Sequence, residues 1–193
     1  EPELKKLISK LVTAKNSRME DSVIDYFIRY IGYEIDETVS LYTVNIAVKQ
    51  LCYSAKEITE DDVRALITPS VQVQIWELSN FLLDLDGPAL YSHVTKLFDE
   101  KENGIGMLSL LLRSFRLTYK ASLLKGRSDY EISKILGVKP FQFKAAMKFT
   151  PQQISEILTV LQQGVNSIKA GQPEKNTVIF TLNEALLVLG GAA

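Results

Sequence analysis

The side chains that most often perform chemistry in proteins are scarce in this sequence. Its 193 residues include one cysteine, Cys52, and one histidine, His93. One of each cannot build a disulfide framework or a zinc site, and a nucleophile of the Cys–His or Ser–His–acid type would depend on His93 alone. We expect His93 to be a surface or half-buried residue beside an apolar helix face.

Two acidic clusters, residues 60–62 and residues 99–100, have the oxygen ligands that divalent cations prefer. Acids are also common in the first turn of a helix or in a solvated loop, and this explanation is favoured. The phosphate-binding pattern Gly-x-x-x-x-Gly-Lys-Ser/Thr and the nucleophile pattern Gly-x-Ser-x-Gly are absent from the sequence. We therefore expect no catalytic residue, no cofactor and no metal, and the chain is not predicted to be an enzyme by itself.

Charge is unevenly distributed along the chain. The formal net charge is −1, but residues 1–112 carry −7, residues 113–148 carry +7 and residues 149–193 carry −1. We call residues 113–148 the basic block. Its nine basic residues are Arg113, Arg116, Lys120, Lys125, Arg127, Lys134, Lys139, Lys144 and Lys148. A local excess of positive charge favours contact with phosphate or with an acidic protein surface, so these nine residues are the candidate binding surface.

Within the basic block, residues 128–148 have the spacing of a helix-turn-helix. Ser128 and Glu131 are placed to form a capping box, Gly137 is a turn residue, and a second helix is predicted to follow it. This spacing suggests an alternative function, a regulatory protein that reads DNA through residues 128–148.

The apolar residues of the same segment favour a structural role instead. A helix that reads the major groove usually begins with Arg, Asn or Gln, and only Gln142 meets that requirement. The residues expected to face the core are Ile132, Ile135, Leu136, Phe141, Phe143 and Met147. Replacing Phe141 with alanine is therefore expected to destabilise the fold by a few kcal/mol.

Nearly every segment repeats its apolar residues at three- and four-residue spacing, which is typical of helices. We predict an all-α chain, with a small bundle of about four helices followed by a larger bundle of about six or seven. Asp36 is predicted to be the N-cap of the third helix. Thr68-Pro69 interrupts the helical pattern, since proline breaks helices, and we place a domain boundary there between residues 1–70 and 71–193.

The sequence has no stretch of about 18 uncharged apolar residues that would span a membrane. Its first residues lack the basic start and apolar core of a signal peptide. A single unpaired thiol agrees with a reducing compartment. We therefore expect a cytoplasmic protein without membrane contact.

Several short motifs occur in an order that resembles one known family. Residues 113–117 are Arg-Ser-Phe-Arg-Leu, residues 131–137 are Glu-Ile-Ser-Lys-Ile-Leu-Gly, Pro140-Phe141 follows, and residues 168–171 are Ile-Lys-Ala-Gly. Residues 75–78 and residues 58–63 extend the similarity upstream. This succession, over residues 58–171, resembles the delta subunit of the bacterial DNA polymerase III clamp loader.

The resemblance implies an architecture of a small helical lid, residues 1–70, followed by a larger helical collar, residues 71–193. Delta subunits also have an N-terminal ATPase-like domain that grips the sliding clamp, and we expect that domain to be absent from this chain. The family's delta subunit does not hydrolyse ATP. The implied role is non-catalytic, within the DNA polymerase III holoenzyme, which is a DNA-directed DNA polymerase and hence a nucleotidyltransferase.

The implied partners are the other clamp-loader subunits, of the delta-prime and gamma or tau type. Five such subunits would join through their collars into the loader that places the sliding clamp on primed DNA, in the cytoplasm at a nucleoid-associated replisome. The basic block then has two interpretations. In the first it meets acidic neighbouring subunits, and in the second it contacts primer-template DNA weakly. The first interpretation is favoured, because aromatic residues alternate with the cations of the block at core spacing.

Overall fold

The computed structural model describes residues 2–100 and 103–191. Helices dominate these ranges, and the prediction of an all-α chain is confirmed. Within them the α-helices are α1 (Pro2–Thr13), α2 (Asp21–Ile31), α3 (Leu41–Ser54), α4 (Glu60–Leu66), α5 (Val71–Leu83), α6 (Gly87–Asp99), α7 (Gly104–Ser122), α8 (Asp129–Leu136), α9 (Pro151–Lys169) and α10 (Glu174–Gly190). Two 3₁₀ helices, Pro140–Gln142 and Lys144–Lys148, lie between α8 and α9. Two strands of two residues each, β1 (Arg18–Met19) and β2 (Glu57–Ile58), complete the regular structure of these ranges.

The chain divides into two compact units, residues 1–74 and residues 75–193. Each unit has its own set of helices, α1 to α4 in the first and α6 to α10 in the second, and the division falls within α5. Of the helices described, none is both long and apolar enough to cross a membrane.

One apolar core holds the first unit together. Ile8 of α1, Phe27 of α2, Leu51 of α3 and Val63 of α4 have no exposed surface. Apolar residues three and four positions apart lie on one side of a helix, so each helix turns such a side toward the others. The helical periodicity of the sequence accounts for this core.

A short parallel strand pair closes the first unit. Arg18 of β1 lies opposite Glu57 of β2, and Met19 lies opposite Ile58. The Ser17 hydroxyl donates to the Ala55 carbonyl at 3.2 Å, just before the pair begins. These hydrogen bonds join the end of α1 to the segment between α3 and α4.

The prediction that Asp36 is the N-cap of α3 is wrong. One Asp36 carboxylate oxygen accepts hydrogen bonds from the Thr38 backbone N–H at 2.9 Å and from the Thr38 hydroxyl at 2.6 Å, which makes a local turn. The helix begins five residues later, at Leu41, where the Ser40 hydroxyl accepts from the Thr43 N–H at 3.3 Å. Both residue types cap helices well, and here the aspartate holds a turn while the serine caps.

The three long helices α7, α9 and α10 form the centre of the second unit. Their buried leucines include Leu108 of α7, Leu161 of α9 and Leu182 of α10. The three helices meet at Gly164 of α9, where an added Cβ would lie 2.8 Å from Thr181 Cγ2 and 3.0 Å from Leu108 Cδ1. Atoms cannot approach so closely without displacement, so this packing requires a glycine.

A second close contact joins the ends of the same three helices. The backbone N–H of Gly104, at the start of α7, donates to Glu174 Oε2 at 2.7 Å, in the first turn of α10. A Cβ at residue 104 would lie 3.0 Å from Val178 of α10 and 3.3 Å from Ile168 of α9. The start of α7 therefore fits between the end of α9 and the start of α10.

The prediction of a second α-helix after Gly137 is wrong. Gly137 ends α8 with a φ of +68°, and the chain continues into the two 3₁₀ helices. The buried residues of this segment are Phe143, Ala146 and Phe149. They recur every three residues, which is the period of a 3₁₀ helix and not that of an α-helix.

Phe143, and not Phe141, is the core aromatic of this segment. Phe143 is 1% exposed and packs with Ala121 and Ile132. Phe141 is half-buried, with its ring against the ring of Trp76 at a centroid distance of 5.7 Å and an interplanar angle of 86°. The core placement predicted for the apolar residues is confirmed for Ile132 and Phe143.

Two residues of the same prediction, Leu136 and Met147, pack partly buried against the cluster of Ile132 and Phe143. Ile135 is 54% exposed, so its predicted core placement is wrong. The α8 helix is only eight residues long and buries a single side, centred on Ile132. Leu136 lies toward the core from this side, whereas Ile135 lies at its edge and remains mostly in water.

Replacing Phe143 with alanine should lower the free energy of unfolding by about 3–5 kcal/mol, because it leaves a cavity in a closed core. Phe141→Ala should cost clearly less, because Phe141 already keeps part of its ring in water. Urea denaturation of both variants measures the two losses. Equal losses would contradict the assignment of Phe143 as the core aromatic.

Gly164→Ala should destabilise the chain, by about 1–3 kcal/mol, because the new methyl group collides with Thr181 and Leu108. The direction of the stability change is informative, because a glycine-to-alanine substitution inside a helix without such neighbours stabilises the protein by about 0.5–1 kcal/mol. Thermal denaturation followed by circular dichroism reports the change. A higher melting temperature would mean that α9 and α10 are not in close contact there.

Candidate functional site

All nine basic residues of the basic block lie in the second unit. Arg113, Arg116 and Lys120 are on α7, Lys125 and Arg127 are in the loop after it, Lys134 is on α8, Lys139 precedes the first 3₁₀ helix, and Lys144 and Lys148 are in the second. Eight of them are exposed and Lys139 is half-buried. The block is therefore a surface feature, but its members do not share one environment.

Arg113, Arg116 and Lys120 form a row along the outer side of α7, which we call the α7 basic row. Residues three, four and seven positions apart lie on the same side of a helix, and the helical rise spreads these three over about 10 Å. The opposite side of α7 carries its buried residues, among them Leu111 and Phe115. Core packing of α7 thus directs the row outward.

Two lysines of the basic block are paired with acids. Lys144 Nζ lies 3.4 Å from Asp129 Oδ2, and Lys148 Nζ lies 3.2 Å from Asp84 Oδ1. Such exposed pairs add little to stability. Their effect is on the surface charge, because a partner meeting this part of the block finds the positive charges already compensated.

The start of α8 is held by the predicted capping box. The Ser128 hydroxyl accepts from the Glu131 N–H at 3.3 Å, and Glu131 Oε2 accepts from both the Ser128 N–H and the Ser128 hydroxyl at 2.9 Å. The two hydrogen bonds to Oε2, the backbone one first, hold the pKa of the Glu131 carboxyl below its usual value, with a smaller contribution from the charge of Arg127. The capping box explains why the sequence and the structure agree on where α8 begins.

Residues 128–148 do not form the helix-turn-helix that their spacing suggests. The position of the reading helix is taken by 3₁₀ helices of three and five residues. A reading helix places several side chains of one α-helical side into the major groove, which such short segments cannot do. Phe143 and Ala146 of this segment are buried in the unit's own core.

A groove runs between α7 and α9, at the edge of the α7 basic row. It is open to solvent, has a volume of about 360 Å³ and is lined by Leu112, Arg116, Ser155, Leu158, Thr159, Gln162 and Gln163. Its α9 wall carries hydroxyl and amide side chains together with Leu158, and no acid is among these lining residues. We call it the α7–α9 groove, and its chemistry suits an anionic group better than a cation.

A second surface of the same unit is apolar. Phe180 and Leu187 of α10 are 64% and 73% exposed, and with exposed Asn183 they lie along one side of the helix. We call these three residues the α10 outer face. Large apolar side chains that remain exposed together mark an interaction surface.

The apolar composition of α10 indicates the α10 outer face, although the spacing of its apolar residues does not. Apolar residues occur on all sides of α10, and periodicity alone predicts a core helix. The unit buries one side, which includes Val178, Leu182 and Leu189. A helix that is apolar all round needs cover on more than one side, and this excess identifies the outer face.

The three acids at residues 60–62, considered for metal binding, have other partners. Asp62 Oδ2 accepts from the Thr59 N–H at 2.8 Å in the capping box of α4, and this hydrogen bond is the main cause that lowers the pKa of Asp62. Glu60 and Asp61 each lie 3.3 Å from the guanidinium of Arg64. In the described part of the chain, no three His, Cys, Asp or Glu side chains are grouped so that they could hold a metal ion.

His93 is half-buried, as predicted. Its ring packs against Phe81 at a centroid distance of 5.6 Å, and its Nε2 lies 3.9 Å from a carboxylate oxygen of Glu77. These contacts give the histidine a packing role on α6.

Comparisons with known proteins agree on one family. The family model described as DNA polymerase III delta subunit, C-terminal domain, matches residues 72–183. The DNA polymerase III subunit delta of Bacillus subtilis (strain 168) is 26% identical over 141 residues, which cover 68% of this chain and 41% of that protein.

A structural comparison adds the fold. The structure of the Bacillus subtilis DNA clamp loader delta protein has a TM-score of 0.75 and 21% identity, with 96% of this chain and 56% of that chain covered. The likeness shows a shared fold. This chain spans about half the length of these two relatives.

Glu131→Ala should destabilise α8 most at neutral pH. The pKa of Glu131 is lower in the folded chain than the ordinary 4.5, so its stabilisation is complete above that ordinary value and is lost as pH falls through the folded-state pKa. The difference in urea midpoint between wild type and variant should therefore shrink on acidification. A difference that stayed constant from neutral to strongly acidic pH would contradict the role of the carboxylate.

Proposed function

This chain belongs to the DNA polymerase III delta subunit family, and on that premise we propose that it is the lid and collar part of a clamp-loader subunit. Its role is assembly. It binds the other subunits of the loader and catalyses no reaction itself. The assembled loader places the sliding clamp on primed DNA.

We assign residues 1–70 to the lid and residues 71–193 to the collar. The family model begins at residue 72, close to the proposed start of the collar. The compact units of the structure divide nearby, between residues 74 and 75. Both observations support a boundary in or beside α5.

The α10 outer face is the observation that carries the assembly role. Phe180 and Leu187 leave most of their apolar surface in water, although they lie on one of the longest helices of the unit. Covering each side chain with a neighbouring collar would contribute about 1.5–3 kcal/mol. A collar that packs into a ring requires such an uncovered side.

The partners we propose are clamp-loader subunits of the delta-prime and gamma or tau type, five subunits forming the ring. The basic block is proposed to face an acidic neighbour, with primer-template DNA contacted weakly or indirectly. Ion pairs already compensate Lys144 and Lys148, which reduces the extent of positive surface that a bound duplex would need.

We place this subunit in the bacterial cytoplasm, at the nucleoid-associated replisome and as part of the DNA polymerase III holoenzyme. Contact with the sliding clamp is assigned to an N-terminal domain of longer family members and not to these 193 residues. No cofactor is proposed for the chain.

Introducing charge into the α10 outer face should prevent assembly. We expect the double variant Phe180→Asp/Leu187→Asp to bind the delta-prime and gamma or tau type subunits at least about tenfold more weakly, because two carboxylates would have to be buried. Gel filtration and titration of the reconstituted loader measure the effect. Circular dichroism establishes that the variant is folded.

Leu85→Asp is the matched control for this experiment. Leu85 is also an exposed leucine of the second unit, at 46%, and its φ of +58° suits aspartate. It should assemble like wild type. Normal assembly of the double variant would remove the α10 outer face from the interface. Failure of the wild-type chain to join the loader, combined with sequence-selective duplex binding, would replace assembly with DNA binding as the function.

A further inference from the structure

The α7 basic row is an uncompensated group of charges. Within residues 2–100 and 103–191, Arg113, Arg116 and Lys120 form no ion pair, whereas Lys144 and Lys148 do. All three side chains of the row are exposed, and Arg116 reaches into the lining of the α7–α9 groove. Three like charges on one side of a helix repel each other, so an anionic partner is the stabilising complement.

The facing wall of the groove is polar and uncharged. Ser155, Thr159, Gln162 and Gln163 of α9 supply hydroxyl and amide groups, and the charged residues of α9 in the structure, Glu156 and Lys169, are not in the lining. Leu112 and Leu158 add apolar contact surface within the groove. One cation, Arg116, on the α7 side, neutral hydroxyl and amide groups on the α9 side and two apolar residues in the lining are features of a peptide-binding groove.

We propose that the α7–α9 groove binds an acidic peptide segment of a partner protein. Acidic side chains at three- and four-residue spacing on a helical segment would match the α7 basic row, which has that same spacing. Arg113 and Arg116 can each hold a carboxylate through two parallel hydrogen bonds. One or two apolar side chains of the segment would cover Leu112 and Leu158.

Several features favour a peptide over nucleic acid as the occupant. None of the residues that line the groove is aromatic, and single-stranded nucleic acid is usually held by stacking on aromatic rings. The α7 basic row is only about 10 Å long, while the ion-paired lysines further along the block reduce the extent of positive surface that a duplex would need. The apolar residues of the groove have no counterpart in a phosphate backbone.

This inference rests on the proposed function only for the source of the segment, which we take to be a protein of the replication assembly. The α7 basic row belongs to the basic block, but the α10 outer face does not. Loss of assembly through the α10 outer face and loss of peptide binding can therefore be distinguished, because Phe180→Asp/Leu187→Asp leaves the α7 basic row intact.

Peptide selection on the whole chain tests the proposal and does not require the partner to be identified first. A phage-displayed library of random peptides about 16 residues long would be selected on the wild-type chain and counter-selected on Arg113→Glu/Arg116→Glu/Lys120→Glu. We expect enrichment of peptides with Asp or Glu at helical spacing and one or two Leu, Ile or Met residues. A synthetic peptide of the enriched sequence should bind the triple variant at least about tenfold more weakly, and wild type more weakly as salt increases.

Two further variants separate the groove from general charge attraction. Lys125→Glu/Arg127→Glu/Lys134→Glu makes the same change in net charge elsewhere in the basic block and should bind the peptide like wild type. Gln162→Ala/Gln163→Ala changes no charge but alters the α9 wall, and should weaken binding several-fold. Denaturation midpoints near that of wild type establish that the variants are folded.

Three results would overturn the proposal. In the first, the selection yields no peptides that distinguish wild type from the α7 variant. In the second, the two charge-reversed variants lose peptide binding equally. In the third, a single-stranded or duplex oligonucleotide of about 20 nucleotides binds wild type and loses binding only in the α7 variant. The last result would assign the groove to nucleic acid. Phe180→Asp/Leu187→Asp should bind the peptide normally, which keeps this test independent of loader assembly.

Discussion

The close approach of three helices at Gly164 is the constraint on which the second unit depends. Thr181 of α10 and Leu108 of α7 occupy the space that any side chain at this position would need. Packed interiors have few voids, so a larger residue at this position would force α9 away from the other two helices. Gly104 fixes the same three helices at their ends through its contact with Glu174. This arrangement determines which sides of α7 and α10 remain in water.

The two candidate surfaces are the outer sides of helices whose inner sides meet at those glycines. On α7, burial of Leu108 and Phe115 leaves the arginines and Lys120 in water. On α10, burial of Val178 and Leu182 leaves Phe180 in water. One surface is cationic and the other apolar, so they suit different occupants. A collar built in this way can contact a neighbouring subunit with one helix while another helix remains accessible.

Local sequence signals predicted the fold well where neighbours in sequence determine it. The capping box at Ser128 and the periodicity of the long helices are of this kind, and they indicated an all-α chain and the start of α8. The local sequence failed to predict the structure where a residue can adopt either of two local conformations. Asp36 is such a residue, because it holds a turn instead of capping α3. The candidate cations were recognisable by type, but the partner of Lys148 is Asp84, which is distant in sequence. Charge compensation of that kind depends on tertiary structure, and no spacing rule reveals it.

The parallel pair of β1 and β2 affects how the first unit can open. Arg18 and Met19 are held beside Glu57 and Ile58, so α2 and α3 lie within a loop closed by backbone hydrogen bonds. The closure holds the two ends of this segment together beside the end of α1, where the Ser17 hydroxyl donates to the Ala55 carbonyl. A closed loop has less conformational freedom than an open one, so the pair lowers the entropy that α2 and α3 gain when they leave the core.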